Sequence, residues 1–115
     1  MDIQLIITNL PNRDVALKLA TRLVDSGLAA CANIMAPCTS VYIWQGALET
    51  TEEIPLLIKA LKQNYSAIEK EIQGMHPYEL PEIIAVPLAD GLPQYLNWIA
   101  AVSSREMPPP IQIKS

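Results

Sequence analysis

Apolar residues recur at two different spacings along this chain, and the changes of spacing mark its elements. The run IQLIITNL, from Ile3, is almost continuously apolar and predicts a buried strand. PNRD follows as a turn with Asn12 placed to cap a helix, after which Val15, Leu19 and Leu23 recur every four residues beside Ala16, Ala20 and Val24. That spacing predicts an amphipathic helix, closed by Gly27. The long segment LAACANIMAPCTSVYIWQGALETTEEIPLLIKAL is rich in strand formers, and QGA around Gly46 predicts a reversal between two long paired strands. Pro37 and Pro55 cannot donate to a ladder. Each is expected at an edge or bulge, leaving stretches of the hairpin unpaired or paired outside the chain.

A second helix is predicted where Leu61, Tyr65, Ile68 and Ile72 share a face, with Gly74 marking its end. EIIAVPL reads as a short apolar strand, and QYLNWIAAV, with Pro93 in its first turn, as a third helix. From about residue 107, MPPPIQIKS forms a proline-led tail with room for one more short strand. Strand, helix, strand, strand, helix, strand, then a terminal helix is the split βαβ order of an α+β ferredoxin-like sandwich. One domain over residues 1–115 is expected, with both main helices on one face of the sheet. The other face stays open unless the terminal helix or another subunit covers it. This fold hosts many activities and selects none.

Half of the 115 residues are apolar and 17% are charged, which supports an aliphatic core large enough to fold without a staple. A net charge of −4 with no Lys/Arg cluster argues against a nucleic-acid partner. No apolar run has the length of a membrane span and no secretory leader is recognisable, so a soluble, cytoplasmic protein is expected. Cys31 and Cys38 are too few for a disulfide scaffold, and the six residues between them do not match a zinc knuckle. An unbroken strand would also turn them to opposite faces, so only a break near Pro37 would bring both to one side.

Alternation in PCTSVYIWQG puts Tyr42 and Trp44 on one face and Val41 and Ile43 on the other. Packing is the simpler role for Tyr42, while Trp44 suits packing or ligand contact. Glu53 and Lys59 share a strand face, either as two solvated charges or at opposite ends of a polar cleft, provided that no bulge at Pro55 changes their parity. Cys31, in LAACAN, fits a small buried apolar role as well as a reactive one. In GMHPYELPEII the single histidine is held extended by Pro77, as Leu80 is by Pro81. Such a stiff loop is either a plain connector or a preorganised set of His76, Tyr78, Glu79 and Glu82 for a metal or small polar ligand.

LVDSGLAACAN, TSVYIWQGALETTEEIPLLIKA, MHPYELPEIIAVPL and YLNWI together resemble, in order and spacing over nearly the whole chain, the CutA divalent cation tolerance proteins. The resemblance implies a ferredoxin-like subunit in a tight homotrimer of PII-like architecture, with hairpin strands pairing across subunits. It also implies association with copper and other divalent cations, not tightly held, and no established reaction. Its cleft positions fall on Cys31, Trp44, Glu53, Lys59, His76, Tyr78, Glu79 and Glu82, with His76, Cys31 and Glu79 as the expected metal ligands. The chain departs from the family pattern in the place of Pro37, in Ile43 for a polar residue, in Pro55, and in Ala60 where threonine is usual.

The leading expectation is therefore a homotrimer that binds divalent metal and serves cation tolerance. Imidazole with carboxylate favours Cu(II), and a Cys31 thiolate favours Cu(I). The alternative is a PII-like module binding a small anionic ligand, with charge from Lys59 and stacking from Trp44 or Tyr78. No set of nucleophile, base and orienting group is recognisable, so no enzyme is expected.

Overall fold

A computed structural model of the chain describes residues 2–104, and the proline-led tail lies outside them. The chain runs β1 (Ile3–Leu10), α1 (Arg13–Asp25), β2 (Cys31–Ile34), β3 (Cys38–Trp44), β4 (Ala47–Leu61), α2 (Tyr65–Met75), β5 (Ile83–Pro87) and α3 (Pro93–Ser103). The sheet order is β2-β4-β1-β5, with β3 pairing the outer part of β4. All pairings are antiparallel. This is the ferredoxin-like arrangement with a terminal helix, as the order of apolar segments predicts.

Local chemistry explains most of the boundaries. The Asn12 side chain accepts from the Val15 N–H at 2.9 Å and starts α1. Gln45 and Gly46 both have positive φ, 50° and 81°, the geometry that lets a two-residue turn join β3 to β4 with the twist of the strands. Pro93 occupies the first turn of α3, where no N–H is needed. The start of α2 differs from the periodicity reading. Leu61 ends β4, and a 3-10 turn, Lys62–Asn64, separates it from Tyr65. Gly74 lies inside the last turn of α2, which stops instead at Met75, because His76 precedes Pro77 and is extended at φ −78°, ψ 129°.

Between β2 and β3 the register changes. Ile34 faces Leu56 and Cys38 faces Glu53, so residues 35–37 stand opposite only Ile54 and Pro55. The extra residue is a bulge at the break expected near Pro37. It turns Cys31, opposite Lys59, and Cys38, opposite Glu53, to the same face of the sheet. β4 itself runs unbroken past Pro55, so Glu53 and Lys59 keep their shared face. The Pro55 carbonyl accepts from the Met35 N–H at 2.9 Å, which places the proline nitrogen on that same edge, beside the bulge and away from β1. No β1–β4 bond is lost to it.

The core lies on the helix side. Ile6 and Leu10 of β1 and Ile54, Leu56, Ile58 and Ala60 of β4 meet Leu19 and Leu23 of α1 and Ile68 and Ile72 of α2. On the opposite face, α3 covers one end, where Ile99 packs with Ile3, Ala30 and Leu61. The rest of that face is uncovered by the described residues, leaving Ile84 and Val86 exposed. The β3–β4 hairpin extends past both layers and helps to stretch the molecule to 46 × 29 × 25 Å. Its helix-side residues Val41, Ile43 and Leu48 are 65%, 66% and 70% exposed.

Candidate functional site

A groove of about 810 Å³ opens between the hairpin and residues 77–82. The hairpin supplies Tyr42, Trp44 and Glu53, which share one face of the β3–β4 pair, as strand alternation predicts. The loop supplies Tyr78, Glu79 and Glu82, and Asn9 comes from β1. Five of the eight sequence candidates, Trp44, Glu53, Tyr78, Glu79 and Glu82, therefore line one cavity.

Glu53 lies deepest, at 7% exposure. Beside it, burial and then the hydrogen bond and charge of the Glu53 carboxylate push the Tyr78 phenol up to about 12, so this hydroxyl is a neutral donor. Tyr42 is fixed by a 3.0 Å hydrogen bond between its hydroxyl and that of Thr51. At the rim, the Asn9 amide donates to Glu82 at 3.4 Å. Glu79 is exposed.

His76 lies behind the loop rather than in the groove. It is 8% exposed, and both of its ring nitrogens are engaged. Nε2–H donates to the Asn9 carbonyl at 2.6 Å, and Nδ1 accepts from the Tyr78 N–H at 3.2 Å. This pair of bonds requires the neutral ring, and burial lowers the His76 pKa against the smaller opposing effects of the Asn9 bond and the Glu53 charge. The imidazole thus ties the start of the 77–82 loop to the end of β1. Its ring also lies 4.6 Å from that of Tyr78, centroid to centroid.

Cys31 and Lys59 stand elsewhere. They are neighbours across β2 and β4 on the uncovered face, six residues along β4 from Glu53 and so roughly 20 Å away at about 3.3 Å per residue. Lys59 Nζ donates to the Tyr95 hydroxyl at 3.4 Å and lies 5.6 Å from the centre of that ring, which stacks on Trp98 of α3. The Cys31 thiol faces the Asn33 side chain at 3.8 Å. Both cysteines are free thiols.

His76, Cys31 and Glu79, the expected metal ligands, are not brought together within the subunit. Among the described residues no three His, Cys, Asp or Glu side chains cluster closely enough to hold an ion. The carboxylates of the acidic groove are therefore dispersed rather than gathered into a coordination shell among the described residues.

Asn9, Thr51, Tyr95 and Trp98 carry parts of these two sites that sequence reasoning missed. The alternation that pairs Tyr42 with Trp44 was the available signal for Tyr42. Asn9 had none, since its place depends on the register of β1 with β4.

A family model described as CutA1 divalent ion tolerance protein matches residues 4–102. The divalent-cation tolerance protein CutA of Thermus thermophilus is 36% identical over 96 residues, which span 84% of this chain and 93% of that protein. A CutA homolog from Xenopus laevis is 40% identical over 92 residues, 80% of this chain but 61% of that longer protein. The crystal structure of CutA from Xylella fastidiosa is similar at a TM-score of 0.87 and 40% identity, over 90% of this chain and 100% of that one. With a match across both helical layers, the whole sheet and the groove, this chain belongs to the CutA1 family of divalent ion tolerance proteins.

Proposed function

We propose that the protein acts in divalent-cation tolerance as a homotrimer of PII-like architecture that takes up divalent metal, copper foremost, at its acidic groove. The observation that carries this reading is the groove itself: three carboxylates, Glu53, Glu79 and Glu82, line it with no Lys or Arg among its walls. Too few of them converge to complete a shell in one subunit, so the remaining ligands come from a neighbouring copy. The bare hairpin and uncovered sheet face support that assembly. His76 acts by holding the loop that carries Glu79 and Glu82, and Cys31 stands ready on the open face for Cu(I). The names of the relatives support a tolerance role rather than catalysis.

A second reading is favoured by Lys59, whose ammonium sits against the Tyr95–Trp98 stack. That corner suits a small planar anion. Calorimetry separates the two. Cu(II) binding that persists in excess Mg2+, and weakens about tenfold or more in Glu53→Gln, supports the metal reading. If small organic anions bind while copper does not, and Lys59→Met abolishes their binding, the second reading replaces it.

A further inference from the structure

Glu53 has no cationic side chain paired with it among the described residues. Glu53 is 7% exposed and lines the groove, so its carboxylate is largely shielded by the surrounding side chains and reached from the cavity. Among the described residues the ion pairs are Lys18–Asp14 and Arg22–Glu71, so no cationic side chain neutralises it. The Tyr78 phenol beside it donates a hydrogen bond and carries no positive charge. His76 is near enough to feel Glu53, but both of its nitrogens are already used as a neutral ring.

Beside the polar groups of the groove, several aromatic and apolar side chains stand near Glu53. Trp44, Tyr42 and Tyr78 line the same cavity as Glu53, with Leu80 and Ile43 beside them. A metal ion needs several oxygen, nitrogen or sulfur atoms at bonding distance, and no such cluster exists here among the described residues. An ammonium needs less. One shielded carboxylate provides the salt bridge, and aromatic faces attract the same charge through their quadrupoles. The volume of about 810 Å³ leaves room for a body attached to the cationic head.

We propose that this groove binds an organic cation, a primary ammonium on an apolar or aromatic body, with Glu53 as its anchoring carboxylate and Trp44 as its stacking wall. Glu79 and Glu82 at the rim draw the cation in without contacting its buried head. Metal and amine compete for Glu53, and the amine site does not depend on metal binding.

The test uses the full chain with EDTA present throughout, so its outcome is independent of the copper titration. The probe is 2-phenylethylamine, protonated at pH 7.5, compared with the uncharged 2-phenylethanol and the anionic phenylacetate. Tryptophan emission is followed in Trp98→Phe, which leaves Trp44 as the reporter. Saturable change with the amine, at least about tenfold tighter than with the alcohol and absent with the acid, is expected. Glu53→Gln, checked for folding by circular dichroism, is expected to lose at least about tenfold in amine affinity and to leave the alcohol unaffected. No saturable binding, equal binding of amine and alcohol, or an unchanged amine affinity in folded Glu53→Gln would overturn the proposal. The comparison of amine with alcohol needs no variant at position 53, so a folding defect there leaves the proposal open to refutation.

Discussion

The two halves of β4 belong to one unbroken strand and live in different surroundings. From Ile54 to Leu61 the strand is flanked by β1 and, from Leu56 to Lys59, also by β2, and every second side chain enters the helix-side core. From Ala47 to Glu53 it pairs with β3 alone and carries the exposed Leu48, the groove carboxylate Glu53 and no packed helix. The inner half has the burial a subunit needs for its own stability. The outer half is mostly polar, but its Leu48 stands with Val41 and Ile43 of β3 as an exposed apolar patch, the kind of surface that suits a binding partner. Core packing and exposed surface are thus separated along a single element, and the boundary falls at Pro55 and the bulge opposite it.

The sharpest contrast between the halves is one of size. Leu56→Ala, at a fully buried core position, is expected to destabilise the protein by about 3 kcal/mol in urea unfolding. Leu48→Ala, at the exposed tip, is expected to change the stability of an isolated subunit by less than about 0.5 kcal/mol. Similar losses at both positions would erase the distinction.

His76 links the two regions, since its bonds join the end of β1 to the groove loop. His76→Ala is expected to cost roughly 2 kcal/mol, because the Asn9 carbonyl and the Tyr78 N–H lose their partner. The pH dependence has a definite sign. The folded-state pKa lies below the ordinary value of 6.5, so the unfolded chain takes up a proton first as pH falls. The His76 contribution is full above about 6.5 and is lost as pH drops from there through the lower folded-state value. Urea midpoints at pH 7.5 and 5.5 should therefore differ more in the wild type than in His76→Gln. An identical pH response in the two proteins would show that the imidazole is not the latch.

A smaller effect than that at Leu56 lies in the core half. Thr8 is fully buried on the helix side, and its hydroxyl has no hydrogen-bond partner. Thr8→Val keeps the shape and removes that group, so unfolding should show a gain of about 1 kcal/mol. A loss would mean that the hydroxyl has a partner in solution.

The fold was legible because its signals are local. Asn12, the QG turn and Pro93 set boundaries that periodicity in β1 and α1 already implied. The start of α2 was misread because Leu61 continues the four-residue spacing of Ile68 and Ile72 while belonging to β4. The groove was half legible. Alternation placed Tyr42 with Trp44, and two prolines marked a stiff loop, but the role of His76 depends on a contact 67 residues away in sequence. The grouping of Cys31 with His76 failed to appear within the subunit for the same reason. Residue types announce what they can bind, whereas sheet register decides which of them meet.

The central claim is that the outer half of β4 serves assembly. Sedimentation velocity of the full chain at micromolar concentration, beside Leu48→Asp, tests it most directly. The account predicts a trimer for the wild type and a folded, native-like monomer by circular dichroism for the variant. A monomeric wild type, or a Leu48→Asp protein that remains trimeric, would contradict it.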